Sequence, residues 1–419
     1  MPNAHAEREP HTVVAWISID GVRPDYPERS DTPFFDKLKN EGAYSHQLEP
    51  IFPSLTFPSH VSQATGVKVE QHGVPLNSFY VRERDRIFHY PGFPSLLQAE
   101  PIWTTAARQG VRVAVHDWVM SHSQTGTHTA AYFRDKYDQS LSCRDRLGLL
   151  KETWMQDQHE EPLRLIMGYM DTPDKLGHQY GPDAQEIAHG MKDMDRFMAD
   201  FLESALDKFN EDKQPGDQFY LMVTSDHGMS TVQTAVHPER VAGLDDSEED
   251  KRVLVSAGGN IANYFFHRIE NAEERENRMA DVLATLNAGD LDYLRVFKRE
   301  DLPARWGYAH PTRSGDLVAV LDTGYIFNRR AEGIQSPIET LGGPLGMHGY
   351  DPADNEEMMG VLYVWRYPDL IGGRDLGHVH MLQLHATVAK LLSIKPSPKA
   401  EPSFIDEPQL YLEFHESQL

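Results

Sequence analysis

Val13–Gly21 reads VVAWISIDG, and the fold follows from how that run begins and stops. Val13–Ile19 is a short, mostly apolar stretch with β-branched residues, and it ends on Asp20 and Gly21. Its length and composition read as a buried strand of a parallel sheet rather than as a helix. Runs of the same kind recur at Val111–Val115, Leu165–Met170, Gln218–Thr224, Leu317–Leu321 and Met359–Trp365. Helical patterns separate them at Thr32–Gly42, Pro101–Gly110, Ala184–Leu206 and Leu382–Leu392. Thr32–Gly42, TPFFDKLKNEG, carries proline early and glycine just past its last turn, the expected start and stop of a helix. Strands alternating with helices predict an α/β fold, a doubly wound, mostly parallel central sheet with helices on both faces. Between about 245 and 308 charged residues crowd in, followed by a helix at Asn277–Leu286 and a strand at Tyr293–Lys298. The expectation is one catalytic domain over residues 1–419 with a small α/β cap lobe inserted at 245–308.

The chain has 419 residues, with 40 Lys+Arg against 64 Asp+Glu for a net charge of −24. Duplex binding requires a basic stripe, so a nucleic-acid partner is disfavoured, as is steering toward anionic membranes. A small anionic substrate would need strong local positive charge, which metal ions can supply. Cys143 is the one cysteine, which rules out internal disulfides and a thiolate metal cage. MPNAHAEREPHT has no basic stretch followed by an apolar one, and no run of about eighteen apolar residues occurs. These features read as a cytoplasmic chain that does not span a membrane, provided no export signal precedes it. They say nothing of oligomeric state.

Ligands of open α/β sheets bind at the carboxyl ends of the strands. Asp20 follows the first strand, Asp226 and His227 follow Gln218–Thr224, and Asp174 follows Leu165–Met170. One such aspartate alone is often a turn residue or a helix cap; three strand ends delivering carboxylate or imidazole together suggest a metal site. Asp174 and His178 are four apart and share a face on a helical turn, a spacing that suits one Zn²⁺. His348 lies in the glycine-rich stretch Gly342–Tyr350, GGPLGMHGY, and would complete three protein ligands with an open position. Thr56 stands between prolines in PSLTFPSH. Its hydroxyl becomes a nucleophile only if a metal or base assists it, and the other reading of Thr56 is an ordinary helix cap.

Taken in order, the stretches resemble those of the nucleotide pyrophosphatase/phosphodiesterase branch of the alkaline phosphatase superfamily. They are SIDGVRPDY (Ser18–Tyr26), PSLTFPSHVSQATG (Pro53–Gly66), HGVPLN (His72–Asn77), PIWTTAARQG (Pro101–Gly110), MDTPDKLGHQYGP (Met170–Pro182), TSDHGM (Thr224–Met229) and MHGY (Met347–Tyr350). The resemblance implies an alkaline phosphatase-like fold and two Zn²⁺ per chain, sites of this type also accepting manganese or iron. It implies one ion held by Asp20, Asp226, His227 and the Thr56 oxygen, and the other by Asp174, His178 and His348. It implies a phospho-threonine intermediate on Thr56, with Asn77 bonding a phosphoryl oxygen. Phe57 resembles the aromatic against which the family stacks a leaving group, although plain core packing would also explain it.

Departures fall around the substrate pocket. Asp171, Thr172 and Pro173 precede Asp174 where the family usually has acidic residues, and Ser78–Phe93 diverges after the asparagine. His116, Asp117 and Trp118 stand where nucleotide-cleaving members carry an aromatic wall. The reading is therefore a hydrolase of phosphate-type esters, a phosphodiesterase or nucleotide pyrophosphatase. A phosphonate hydrolase of the phosphonoacetate type and a phosphomonoesterase stay open as alternatives. Arg82, Arg84 and Arg86 are the cations that would favour such carboxylated or dianionic substrates. A sulfatase is disfavoured because Cys143 is followed by Arg144, Asp145 and Arg146 rather than by its modification motif. The most distant alternative is a non-catalytic metal-binding protein, yet every expected position is filled.

Overall fold

Thr12–Ile19 lies inside a nine-stranded sheet, hydrogen-bonded in parallel to Leu163–Met170 on one side and Gln218–Thr224 on the other. The computed structural model describes residues 9–289 and 291–406, apart from the Asp212 side chain. In chain order the strands of this sheet are β1 (Thr12–Ile19), β2 (Ala43–Glu49), β3 (Arg112–His116), β4 (Tyr132–Phe133), β5 (Leu163–Met170), β6 (Gln218–Thr224), β7 (Gly360–Tyr367), β8 (Arg374–Asp375) and β9 (His378–His380). Spatially they run β8-β2-β7-β6-β1-β5-β3-β4, with β9 also on β2. The flanking helices are α1 (Pro33–Glu41), α2 (Thr56–Thr65), α3 (Ile102–Arg108), α4 (Cys143–Gln156), α5 (Asp174–Tyr180), α6 (Gln185–Asp212) and α7 (Gln383–Leu391).

Successive side chains of a strand point to opposite faces, and β1 shows why the sheet is covered twice. Val14 and Trp16 pack into one core with Val61 of α2, Trp103 of α3 and Leu384 of α7. Val13, Ala15, Ile17 and Ile19 enter the other, with Leu38 of α1, Trp154 of α4 and Met194 of α6. Each large apolar side chain removed from water contributes roughly 1.5–3 kcal/mol, so both faces of β1 are apolar except at Ser18, whose hydroxyl meets His60 Nε2 at 2.8 Å. The apolar run in VVAWISI is this double burial read along the chain. Among the described residues, no helix is long and apolar enough to cross a membrane.

Two strands differ from the sequence expectation. β7 runs antiparallel to both of its neighbours, β2 and β6; a strand buried on both faces has the same composition in either direction. Leu317–Leu321 joins a separate four-stranded antiparallel sheet with Leu254–Gly258, Ile261–Phe265 and Leu294–Lys298, not the large sheet. Its Val318 and Val320 face the first core, while Leu317, Ala319 and Leu321 enter a third core under the helix Ala272–Ala288. Covered on both sides, LVAVL carries the pattern of a central parallel strand without being one.

Strands β5, β1 and β6 are adjacent, so their carboxyl ends bring Asp174, Asp20 and Asp226 together. Gly21 makes the approach possible. Its φ is +72°, and a Cβ there would lie 2.8 Å from both Cα and Cβ of Asp174. Backbone bonds fix the crossing, Asp20 N–H to Met170 O at 2.9 Å and Asp174 N–H to Asp20 O at 3.1 Å.

Candidate active site

Thr56 is the first residue of α2, after Leu55 in extended conformation, and its side chain is largely buried. The positive end of a helix dipole favours an anion there. Its Oγ1 lies 3.4 Å from His227 Nε2. Around His227 Nε2 stand Asp226 Oδ2 at 3.0 Å and Asp20 Oδ1 at 3.3 Å. On the far side, Asp174 presents Oδ2 to His178 Nε2 at 3.3 Å and Oδ1 to His348 Nε2 at 3.4 Å. The His227 and His348 rings stack with centroids 3.5 Å apart. All seven residues named from the sequence therefore converge, with Thr56 beside His227.

The donor set fits metal ions. Two triplets have ligand atoms mutually within 4.8 Å: Asp20, Asp226 and His227, and Asp174, His227 and His348. His227 belongs to both, and the partly exposed His178 sits against Oδ2 of Asp174. The Nδ1 atoms of His227, His348 and His178 meet backbone carbonyls of Gly228, Ser54 and Gly346 at 2.7–2.9 Å. A carbonyl can only accept, so each Nδ1 carries a proton, and in the neutral ring Nε2 turns a lone pair toward carboxylate oxygens. Asp20 Oδ1, Asp174 Oδ1 and Asp226 Oδ2 are buried without a hydrogen-bond donor. Lone pairs facing lone pairs in a buried site call for a cation, and carbonyl-anchored imidazoles are a usual support for metal ligands.

The electrostatics agree. Burial, then the neighbouring Asp226 and Asp174, push the Asp20 carboxyl well above its ordinary range. Burial also opposes ionisation of Asp174, yet His178, His348 and His227 hold it at about 2. Burial lowers His178, but Asp174 outweighs it and raises the imidazole to about 9. Burial and His227 push His348 down to about 3. The three buried carboxylates and three imidazoles thus perturb one another strongly.

The Type I phosphodiesterase / nucleotide pyrophosphatase family model matches residues 14–351. The chain belongs to this family. That span holds all of the residues gathered above. The chain is 29% identical over 351 residues to human ectonucleotide pyrophosphatase/phosphodiesterase family member 5, covering 81% of this chain and 66% of that protein. It is 29% identical to the bis(5'-adenosyl)-triphosphatase of Xenopus laevis, over 80% of this chain and 68% of the relative. It thus spans about two thirds of the length of these relatives. Murine ectonucleotide pyrophosphatase/phosphodiesterase 5 superposes with a TM-score of 0.78 at 24% identity, covering 95% of this chain and 99% of that one. An inactive variant of the murine protein, solved in complex with AMP, has the same TM-score and covers 96% of this chain. The α/β architecture is therefore the alkaline phosphatase-like fold of that protein.

Asn77 and Phe57, the other residues named from the sequence, meet at the start of α2. The Phe57 N–H donates to Asn77 Oδ1 at 2.9 Å, which turns the Asn77 NH₂ group the other way. The Phe57 ring is half-buried and meets Tyr90 edge to face at 5.6 Å. Three neighbours were not anticipated. His60 Nδ1 approaches both Thr56 O at 2.9 Å and Asp226 Oδ2 at 3.2 Å, while its Nε2 reaches Ser18 Oγ at 2.8 Å. Its signal was available, since it lies four residues after Thr56 on one helix. The Tyr169 O–H donates to Asp20 Oδ2 at 2.5 Å from the adjacent strand, a contact that strand register alone creates. Tyr90 lies in the divergent segment. Arg82 pairs with Asp316, and Arg84 and Arg86 lie over the Phe88 ring; the three cations named from the sequence are engaged there.

Proposed function

We propose that the chain is a two-zinc phosphodiesterase/nucleotide pyrophosphatase that works through a covalent intermediate on Thr56. The observation that supports this best is the pair of carboxylate–imidazole clusters meeting at His227, with the Thr56 hydroxyl 3.4 Å from it at a helix N-terminus. Asp20, Asp226 and His227 would hold one ion beside Thr56, and Asp174, His178 and His348 the other. Such ions would supply the acidity that turns the hydroxyl into a nucleophile and the charge that offsets a phosphoryl anion.

The protein groups set the rest. The Thr56 Oγ–P bond forms as the P–O bond to the leaving group breaks, and water then cleaves the Thr56 ester in a second displacement. The N-terminus of α2 favours the anion, and the Asn77 NH₂ group faces a non-bridging oxygen. Phe57 offers an apolar face to the leaving group. His60 and Tyr169 orient Asp226 and Asp20. We read residues 245–308 as part of a cap over this site. The turn at Gly259 packs on Leu55 and His348, where a Cβ would lie 2.9 Å from Leu55 Cδ2 and 3.1 Å from His348 O.

A diester is favoured over a monoester or phosphonoacetate because Arg82 is paired with Asp316, while the exposed Arg84 and Arg86 lie over the Phe88 ring rather than against a residue of the site. Relatives named as acting on nucleotides agree with that choice. The test is a comparison of kcat/KM for p-nitrophenyl thymidine phosphodiester, p-nitrophenyl phosphate and phosphonoacetate. The diester should lead by at least about 100-fold, some 2.7 kcal/mol of transition-state discrimination. A lead for phosphonoacetate or the monoester would overturn the assignment of substrate.

A further inference from the structure

Ser54 stands two residues before Thr56 and is fully buried, and its carbonyl and hydroxyl both turn toward the loop that carries His348. The carbonyl accepts from His348 Nδ1–H at 2.9 Å. The hydroxyl donates to Tyr350 O at 2.7 Å and accepts from the Gly349 N–H at 3.1 Å. One residue thus holds the His348 ring and the backbone of the two residues after it. The loop has little room to settle elsewhere. Gly349 takes a φ of +114°, and a Cβ there would lie 2.9 Å from both Leu55 Cδ2 and Asn260 Oδ1. Tyr350 is tied on its far side, its hydroxyl donating to Tyr325 O at 3.2 Å.

The other end of this link is the nucleophile. The Leu55 N–H donates to Pro53 O at 2.8 Å, and Leu55 O accepts from Ser59 N–H at 2.9 Å, so a short hydrogen-bonded segment joins Ser54 to the first turn of α2. Ser54 does not cap that helix: Leu55 holds the cap position, and no side chain caps it. His348 in turn stacks on His227 at 3.5 Å and points Nε2 at Asp174 Oδ1, 3.4 Å away. A carbonyl anchors a ligand imidazole only while the loop behind the ring stays in place, and the Ser54 hydroxyl fastens that loop. Without Oγ, the Gly349 N–H and the Tyr350 carbonyl lose this partner, and the His348 ring is free to turn away from Asp174.

We propose that Ser54 is a positioning residue that acts through His348 and sets where the second ion sits relative to the Thr56 hydroxyl. The proposal rests on the two-zinc reading above. Asp226 and Asp20 are oriented by His60 and Tyr169 instead, so the effect of Ser54 falls on one ion of the two. No bond to Ser54 is made or broken in the reaction.

The test compares Ser54→Ala in the full chain with the wild type and with Ser45→Ala. Ser45 is an equally buried serine on β2, two strands from β6, whose hydroxyl donates to Gly377 O at 2.6 Å and accepts from Gln47 N–H at 3.0 Å. Its removal matches the hydrogen bonds lost at Ser54 without touching the site. Zinc binding is read by chelator competition, and turnover of p-nitrophenyl thymidine phosphodiester is followed across free zinc. In Ser54→Ala one zinc equivalent should bind as in the wild type and the other about 10- to 100-fold more weakly. The zinc needed for half-maximal rate should rise by the same factor, and Ser45→Ala should bind both equivalents like the wild type. Two equivalents unchanged in Ser54→Ala, or both weakened together, would overturn the proposal. So would a Ser54→Ala chain that fails to fold in excess zinc while Ser45→Ala folds, since the serine would then serve the fold and not the second ion. If the wild type itself binds fewer than two equivalents, the underlying reading fails; if it binds two and Ser54→Ala keeps both, only the role of Ser54 falls.

Discussion

Asp20→Asn should change the sign of its effect on stability according to whether zinc is present. Asp20 Oδ2 accepts from the Tyr169 hydroxyl at 2.5 Å, and Oδ1 faces His227 Nε2 at 3.3 Å without a hydrogen bond. In the neutral imidazole whose Nδ1–H donates to Gly228 O at 2.8 Å, Nε2 has no proton to supply. In the chelated protein, asparagine keeps an acceptor for Tyr169 and turns its NH₂ group toward the His227 lone pair. It also removes a buried charge beside Asp226 and Asp174. The new hydrogen bond contributes about 0.5–1.5 kcal/mol. Unfolding entropy of about 2.1 cal/mol/K per residue gives roughly 0.9 kcal/mol/K for a chain this size, so 1 kcal/mol moves Tm by about 1.1 °C. Asp20→Asn in excess chelator should therefore melt about 1–2 °C above the wild type. In excess zinc the order reverses. An ion present at 100 times its Kd stabilises by about 2.7 kcal/mol, and losing it lowers Tm by roughly 3 °C. Differential scanning calorimetry with chelator and with zinc reads both. An equal fall in Tm under the two conditions would refute the reasoning, making Asp20 a structural anchor.

Three further outcomes follow from particular contacts. Tyr169→Phe frees Asp20 Oδ2 and should weaken zinc binding about 10- to 100-fold by chelator competition, with unchanged affinity arguing against a positioning role. Gly21→Ala places a Cβ 2.8 Å from the Asp174 backbone at a φ of +72°; urea unfolding should show a loss of at least about 2 kcal/mol, and a neutral result would mean the crossing can relax. Burial raises the Asp117 carboxyl, but His122, Arg146 and Arg134 outweigh it and hold it below the ordinary range. Its contribution is fully present above the unfolded aspartate pKa of about 3.9 and is lost as pH falls through the lower folded value. Asp117→Asn should therefore flatten the pH dependence of urea stability below about pH 4, and an unchanged acid limb would count against this triad.

Much of the site was legible because its residues sit where buried strands end. A doubly covered strand is mostly apolar, so Asp20 and Asp226 stand out as the first charged groups after β1 and β6. The spacing of Asp174 and His178 reads as one helical face, and α5 runs over Asp174–Tyr180. What stayed hidden depends on partners distant in sequence. The direction of β7 and the sheet to which Leu317–Leu321 belongs leave no trace in composition, because burial on both faces looks alike in either setting. Tyr169 reaches Asp20 through strand register, and the Tyr90 N–H reaches Asn77 O at 3.1 Å through a hairpin whose charged residues alternate like those of any solvated loop. Arg82 carries the same lesson in reverse: its charge suggested a substrate contact, and Asp316, 234 residues away, takes it.

The central claim is that Thr56 attacks phosphorus, and the stereochemical course of hydrolysis tests it most directly. A phosphorothioate diester chiral at phosphorus, cleaved in oxygen-18 water, records each displacement as one inversion. Attack by Thr56 followed by water predicts net retention of configuration. Net inversion would mean that water reaches the phosphorus in a single step, and would contradict the nucleophilic role of Thr56.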